Sequence, residues 1–552
     1  MITQNKEKIL NNLLIHNNKI FIYIFFIIFF FIGISISKDY GISTDEPFHR
    51  TLGYFWYIQI FETFYSSSAF NLLKDKYQSM YWSKEINDGY FREYGVLFDL
   101  FCVFIEEFLN IENDKQAFNL KHTLNFITFF ISSIFFYKII ILRFDKSYYA
   151  LLITFFYLTS PRIFADSFYN PKDIIFMCFC VYALYFCLKS FKQITLGNFF
   201  LFSLFSAFAT SIRILGILFF FLFIIFIILT ILEKKEFFKN HYKKIFFYII
   251  SYPCFLYLFM PFLWGSPVEN FIVTFKSFAN YNWGGDIFYL GSYIKATSLP
   301  WHYIPVWIFI STPILIFLFF IIGLINIISK FINNFLNLSN ANCLWNKDIQ
   351  LMDFIVLGFF LFPLFAIIFF NSTLYGGWRH LYFIYPGLIY FVSVGINYLF
   401  NIKNKKKYKF IFFASLIFAL INNLFILIKF HPYQNIFFNS LIEKKANKFF
   451  EIDYWGLGNA ESIEYLQKLE KEEFSIAVAS FTPLNYSTLI VKKKNKMQFK
   501  DIKDGDSKYI FSNYIYEMDP YLLKKYKIPE NYLKIFSLKR GKIIINEIYK
   551  KN

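Results

Sequence analysis

The sequence predicts a polytopic α-helical membrane protein of about eleven transmembrane helices with a small C-terminal α/β domain. Three observations predict it. Of the 552 residues, 57% are hydrophobic and only 17% charged, against about 25% charged in a soluble domain. The mean hydropathy, +0.43, is too high for a water-facing surface and excludes disorder, which needs low hydrophobicity and high charge. The apolar residues also come in runs near the ~20 residues that a helix needs to cross a bilayer, where it satisfies its own backbone polar groups. Phe is very abundant (83 residues); that bias marks no site.

The runs, in chain order, are 19–37, 122–142, 148–165, 173–189, 197–213, 214–232, 245–263, 304–329, 352–371, 381–401 and 410–429. No small-residue cleavage site follows the first run before Lys38, so it reads as a retained span rather than a cleaved signal peptide. Basic residues cluster in alternate connections: Lys6, Lys8 and Lys19; Arg143 and Lys146; Lys189 and Lys192; Lys234, Lys235, Lys239, Lys243 and Lys244; Lys403, Lys405, Lys406, Lys407 and Lys409. The five clusters fall on one side, which should be cytoplasmic. The expected location is therefore the inner (plasma) membrane, N-terminus cytoplasmic and C-terminal domain extracytoplasmic. The net charge of +18 is then a matter of topology, and no nucleic-acid partner is expected.

Two domains are expected, a membrane domain over 1–429 and an extracytoplasmic domain over 430–552. The outer face receives the long first loop, 38–121, and the shorter segments 166–172, 264–303 and 372–380. The stretch 94–110 carries Asp99, Glu106 and Glu107 among apolar residues and reads as an interfacial amphipathic helix rather than a span. In the tail, Ala460–Lys471 reads as a helix, Phe474–Ala479 as a strand and Tyr532–Tyr549 as a hairpin turning at Arg540-Gly541. Cys178 and Cys180 sit in an apolar run with no second pair, so they read as small hydrophobes rather than zinc ligands. No internal repeat of the transporter kind is visible.

The residues able to carry chemistry gather on the outer face. Asp45 and Glu46 follow the first span, in Gly41-Ile-Ser-Thr-Asp-Glu-Pro-Phe-His49. Adjacent carboxylates at a membrane surface are ordinary when solvated; held at the interface near an acceptor hydroxyl, one of them can act as a general base. Arg162, Asp166, Lys172 and Asp173 crowd the short connection Ser160–Asp173, and charge at that depth is costly enough to suggest function. Arg213 interrupts an apolar stretch of about 35 residues, so it marks a hairpin end or faces a polar cavity. Arg379 and His380 open the tenth span beside Gly376 and Gly377. Arg suits phosphate because its planar fork donates two parallel hydrogen bonds, while an interfacial anchor is the plainer alternative. His302, in Pro300-Trp-His-Tyr303, fits either an aromatic belt or a substrate contact.

Taken together, these stretches resemble the glycosyltransferase-C superfamily, especially its protein O-mannosyltransferase and aminoarabinose-transferase-like branch (glycosyltransferase family 39-like). The matching features are the Asp-Glu pair after span one with a His three residues later, an Asp just before span four, an Arg after span five, Pro-Trp-x-Tyr before span eight, and Arg with an aromatic-Pro stretch at span ten. The resemblance covers about residues 20–430. His431-Pro-Tyr-Gln and Asp453-Tyr-Trp-Gly456 look like features of a bacterial subgroup, and the tail does not resemble the β-trefoil insertion of eukaryotic O-mannosyltransferases.

The resemblance implies inverting transfer of a sugar, hexose or pentose, from a polyprenyl-phosphate donor to an extracytoplasmic lipid, glycan or protein acceptor. It implies a catalytic set of Asp45, Glu46 and Asp173, with Asp45 deprotonating the acceptor. Arg379, Arg213 and Lys172 would stabilise the departing phosphate, with Arg162, Asp166, His302 and His380 also on the substrate. No cofactor is certain. Some members of the superfamily use a divalent metal (Mg or Mn) and others do not; Asp45 with Asp166 or Asp173 would be the ligands, though no spacing demonstrates it. Membrane lipid is a further partner. The rival from another class is a multispan transporter or lipid flippase, in which charged residues would distribute along a midplane pathway. A third option, an assembly protein whose outer domain binds partners, has only the tail in its favour.

Overall fold

The computed structural model describes residues 2–234, 236–279, 281, 283–338, 344–345, 347–401, 406–491, 496–516 and 526–552. Lys235, Lys403, Lys405 and Cys343 lie outside the described residues. Among the described residues, eight helices are long and apolar enough to cross a membrane: Lys19–Asp39, Asp114–Phe144, Asp173–Lys192, Ile214–Glu233, Ile314–Leu336, Asp348–Phe369, Arg379–Asn401 and Lys409–Phe430. The chain is thus a multi-pass helical membrane protein.

The three remaining expected spans are helical but shorter, more charged or broken. The run at 148–165 splits into Ser147–Leu158 and Pro161–Tyr169. Pro161 lacks the amide hydrogen to continue a helix and suits the first turn of a new one. The run at 197–213 is the 17-residue helix Leu196–Ile212. The run at 245–263 lies in Glu236–Phe259, whose first turns are charged, and closes in the turn Pro261–Leu263. Proline also divides the run at 304–329, where Tyr303–Ser311 ends before Pro313 and Ile314–Leu336 follows.

Helix Asp173–Lys192 is the hub. It is buried along most of its length and packs against Leu196–Ile212, Asp114–Phe144 and the turn Arg379–Ile384. Cys178 and Cys180 on it are buried and unpaired, as expected of small hydrophobes. At the opposite end of the bundle, Arg143 is not a free loop charge. Its Nε and Nη2 donate to the two Asp353 oxygens at 2.7 and 3.0 Å, and Tyr390 Oη donates to Asp353 Oδ1 at 2.6 Å.

The first loop folds into helices Glu46–Phe61, Ser67–Gln78, Ser83–Asn87 and Leu97–Phe108. Their own apolar cluster includes Leu52, Tyr54, Leu73, Ile86 and Val103. The stretch 94–110 does form a helix, and it is amphipathic in an unexpected sense. Phe101, Phe104 and Phe108 are exposed, whereas Asp99 and Glu106 turn inward. Arg50 donates to Glu106 at 3.1 and 2.7 Å and to Asp114 at 2.7 Å, and Lys121 donates to Asp99 at 3.1 Å. The Arg50–Asp114 pair and the buried Lys121–Asp99 pair tie the loop to helix Asp114–Phe144.

The segment 264–303 carries the antiparallel hairpin β1 (Asp286–Tyr289) and β2 (Ser292–Lys295). The tail holds the helix Asn459–Leu469 and a five-stranded sheet. Its strands are β3 (Phe474–Val478), β4 (Met497–Lys500), β5 (Tyr509–Ser512), β6 (Tyr532–Arg540) and β7 (Ile543–Lys551), in the order β4-β3-β5-β7-β6. β3 is parallel to β4 and β5, and β7 is antiparallel to β5 and β6. The C-terminal hairpin turns one residue later than expected, at Gly541-Lys542. Between the last membrane helix and the sheet, Phe437, Phe438, Phe450 and Trp455 belong to the same core as Tyr303 and Trp307 of the membrane helices.

Candidate functional site

A cavity of about 310 Å³ opens where one end of the bundle meets the first loop and the segment 264–303. Its walls are helix ends. Asp45 immediately precedes helix Glu46–Phe61, and Pro47 occupies the first turn of that helix, where its fixed φ is pre-organised. The Asp45 side chain does not cap the helix, which leaves its carboxylate for Arg379, whose Nη1 donates to Asp45 Oδ2 at 3.0 Å. Asp173 opens the hub helix. Asn170 Oδ1 accepts from the backbone N–H of Asp173 at 2.8 Å, and Asn170 Nδ2 donates to Asp173 Oδ2 at 3.1 Å. Asp173 also accepts from Arg213 Nη2 and, at 3.3 Å, from Arg379 Nη1. Arg213 sits directly after helix Leu196–Ile212.

Arg379 is 3% exposed and is the centre of the arrangement. Gly376 and Gly377 precede it at φ +65° and +74°, backbone values that glycine adopts without penalty. Trp378 anchors the turn by donating its indole N–H to Ser311 Oγ at 2.9 Å. The guanidinium lies over the rings of Tyr375, Tyr454 and Trp455, at 4.8, 5.1 and 4.8 Å, so the tail packs against the arginine that lines the cavity. Lys172 enters from the hub connection and donates to Gly95 O at 2.5 Å. Gly95 must be glycine, since a Cβ there would stand 1.9 Å from Ser211 O. Burial is the largest influence on Lys172 and, outweighing nearby Asp99, lowers its pKa to about 7. His49 also lines the cavity. Burial lowers its pKa against the pull of Asp99, whose Oδ2 is 3.0 Å from His49 Nδ1.

Arg213 Nε, Arg379 Nε and His380 Nδ1 are buried without a hydrogen-bond partner. Buried donors are normally satisfied, and all three belong to cavity-lining residues. One part of the lining is apolar, with Ile212, Leu215, Phe275, Phe278 and Ile367, and Glu93, Thr210, Thr274, Ser372 and Thr373 add polar groups.

The other residues singled out from the sequence lie outside this cavity. Glu46 is fully buried; it accepts from the Ser43 N–H at 2.7 Å and lies 3.0 Å from His122 Nε2. Arg162 donates to Phe437 O at 3.1 Å, between the rings of Trp307 and Phe438. Asp166 accepts from Tyr169 Oη. Arg162 and Asp166 instead line a second, water-sized cavity of about 20 Å³ with Glu451, Tyr454 and Trp455. Burial raises the Glu451 carboxyl to about 7, against one backbone N–H from Phe288. His302 lies within 2.8 Å of Tyr289 Oη, at the foot of hairpin β1–β2. Asn170, Tyr375 and Tyr454 are the residues that sequence reasoning gave no role. The Asn170-Pro171 pair ahead of a helix was a usable signal for the first, and nothing local marks the other two.

No protein-family model and no curated protein matches the chain. Solved structures similar to it include two of one protein. One is ArnT from Cupriavidus metallidurans in the apo state, with 12% identity over 83% of this chain and 87% of that one, at a TM-score of 0.40. The other is ArnT from Cupriavidus metallidurans bound to undecaprenyl phosphate, with 11% identity over 79% of this chain and 85% of that one, at a TM-score of 0.37.

The donor set does not suit a divalent cation. Asp45 and Asp173 already share the Arg379 guanidinium, and Asp166 is turned to Tyr169. Among the described residues no group of three or more His, Cys, Asp or Glu side chains could hold a metal ion.

Proposed function

We propose that this cavity transfers a sugar from a polyprenyl-phosphate donor to an acceptor hydroxyl with inversion, on the extracytoplasmic face of the inner membrane. One observation carries it. A partly exposed carboxylate, Asp45, lines one cavity with Arg379, Arg213 and Lys172, an apolar patch of Ile212, Leu215, Phe275, Phe278 and Ile367 lines the same cavity, and both guanidinium groups keep an unpaired buried N–H. That combination fits an anion carried on a hydrocarbon chain.

In this mechanism Asp45 accepts the proton of the acceptor hydroxyl. The acceptor oxygen attacks the anomeric carbon from the side opposite the phosphate, and the bond from that carbon to the phosphate oxygen breaks. Its electron pair leaves on the polyprenyl phosphate. Arg379 and Arg213 meet the growing charge with aligned donors, and Lys172 adds a point charge. Asp173 holds both arginines in place, and Asn170 holds Asp173. Glu46 fixes the turn that presents Asp45. No step uses a metal.

The position of the charged groups weighs against a transporter. Asp45, Asp173, Arg213 and Arg379 all stand at helix ends on one side of the bundle, whereas a transport pathway needs them near the midplane. The test is to incubate the purified protein in lipid with a panel of labelled polyprenyl-phosphate sugars. Time-dependent release of polyprenyl phosphate, absent in Asp45→Asn, is expected. An inert panel together with flipping of labelled lipid in proteoliposomes would favour the transporter.

A further inference from the structure

The tail has a second concave site. A cavity of about 400 Å³ lies at the carboxyl ends of the parallel strands β3 and β4, within the range of about 300–1,000 Å³ usual for small-molecule sites. The carboxyl ends of parallel strands are where open α/β sheets bind ligands, and this cavity is built from the segments that follow β3 and β4. Ser480, the second residue after β3, is 4% exposed and lines this cavity, and its Oγ has no hydrogen-bond partner. A buried hydroxyl left unpaired calls for a ligand or solvent partner.

The rest of the lining narrows the chemistry. Phe481 and Phe499 are large rings left 40% and 43% exposed, and both line the cavity together with Asn485. The charged residues there are already engaged: Lys500 pairs with Asp506 at 2.5 Å, and Asp501 accepts the Lys503 N–H at 3.0 Å. Such a site has little to offer a phosphate or a carboxylate. Flat apolar faces beside hydroxyl and amide groups suit a neutral polyol, whose ring C–H face covers an aromatic ring while its hydroxyls pair with the polar groups.

The loop that forms this cavity also reaches the candidate active site. Asn513 Nδ2 donates both to Thr482 Oγ1 at 3.0 Å and to Asp453 O at 3.1 Å, one residue before Tyr454, whose Oη accepts from Arg379 Nη2 at 3.4 Å. Tyr486 packs its ring against Tyr81 of the first loop at 4.9 Å. We infer that the tail cavity lined by Ser480, Phe481, Asn485 and Phe499 binds a neutral saccharide, and that the acceptor is a glycan held there while its hydroxyl reaches Asp45. The acceptor half of this inference rests on the transferase reading above; saccharide binding by the tail does not.

The experiment uses the full chain in lipid nanodiscs, applied to an array of immobilised neutral oligosaccharides with no donor present. Wild type and Asp45→Asn should retain the same glycans, and the double variant Phe481→Ala, Phe499→Ala should lose at least about ten-fold in retention. Ser480→Ala, a smaller change, should weaken binding less. No retention by wild type, or equal retention by the double variant, overturns the tail site. Loss in Arg379→Lys with the double variant unaffected places the saccharide in the membrane-side cavity and overturns it as well. In the transfer assay, the double variant should raise the KM for a retained glycan at least about ten-fold while hydrolysis of the donor by water is unchanged. Saccharide binding without transfer to it would reject the acceptor role and leave the tail site standing, while loss of donor turnover altogether would reject the transferase reading.

Discussion

At the scale of single residues, the candidate site depends on shared charges. Asp45→Asn keeps the shape and a hydrogen bond to Arg379 but cannot take a proton. Turnover should fall by roughly 10²–10⁴-fold with donor binding preserved, measured by single-turnover kinetics and by donor titration on the same preparation. Arg379 serves Asp45 and Asp173 with one nitrogen and leaves Nε unpaired. Arg379→Lys should therefore lower both donor affinity and kcat, together by about 1.5–3 kcal/mol for the lost charge-assisted bond, or about 10- to 100-fold. Arg213→Lys, on a more exposed side chain that pairs only with Asp173, should lose less. Lys172 sets the alkaline side of the pH profile. Its burial lowers the pKa to about 7, so its cation is present below pH 7 and is lost as the pH rises through it. The kcat/KM profile, which reports the free enzyme, should fall above about pH 7, and Lys172→Arg should move that limb upward. An unmoved limb would remove Lys172 from donor binding.

At the scale of elements, proline and buried charge decide where helices stop and what they hold. Pro161 and Pro313 break two expected spans, and the break at Pro161 releases the short helix Pro161–Tyr169 to carry Arg162 and Asp166 toward the tail. Arg143 looks in the sequence like one more basic loop residue. Its two bonds to Asp353 instead clamp helix Asp114–Phe144 to helix Asp348–Phe369. Asp353→Ala leaves that guanidinium without its partner and should cost about 3–5 kcal/mol, read as a lowered detergent-unfolding midpoint. Arg143→Met with Asp353→Leu should recover most of it. Full stability in Asp353→Ala would mean that Arg143 reaches solvent or lipid headgroups.

At the scale of the whole molecule, the site exists because three parts of the chain meet. The first loop supplies Asp45, the membrane helices supply Asp173, Arg213 and Arg379, and the tail supplies Tyr454 and Trp455. In the proposed topology, with the Lys- and Arg-rich connections on the cytoplasmic side, that meeting point lies outside the cytoplasm. Glu472→Cys, on an exposed residue of the tail, should react with an impermeant maleimide in intact cells. Labelling only after lysis would invert the topology and move the proposed chemistry to the cytoplasmic face.

The sequence by itself determined the class of the molecule, because bilayer thickness fixes the length of apolar run that a spanning helix needs. It also determined the sheet-bearing tail, whose strands Phe474–Val478 and Tyr532–Arg540 show in local composition alone. It pointed to Asp45, Asp173, Arg213 and Arg379 because charge is costly beside an apolar run; the structure places Asp45, Arg213 and Arg379 around one cavity, with Asp173 paired to both arginines. Tertiary structure decided the rest. Adjacent in sequence, Asp45 and Glu46 differ in place because a helix start turns one side chain toward Arg379 and the other into the protein toward His122. Arg162, His302 and Asp166 carry the same local signal as Arg379, but packing turns them to Phe437, Tyr289 and Tyr169. Tyr454 joins the site across 75 residues of sequence from Arg379, and no local pattern records a contact that only the docking of the tail creates.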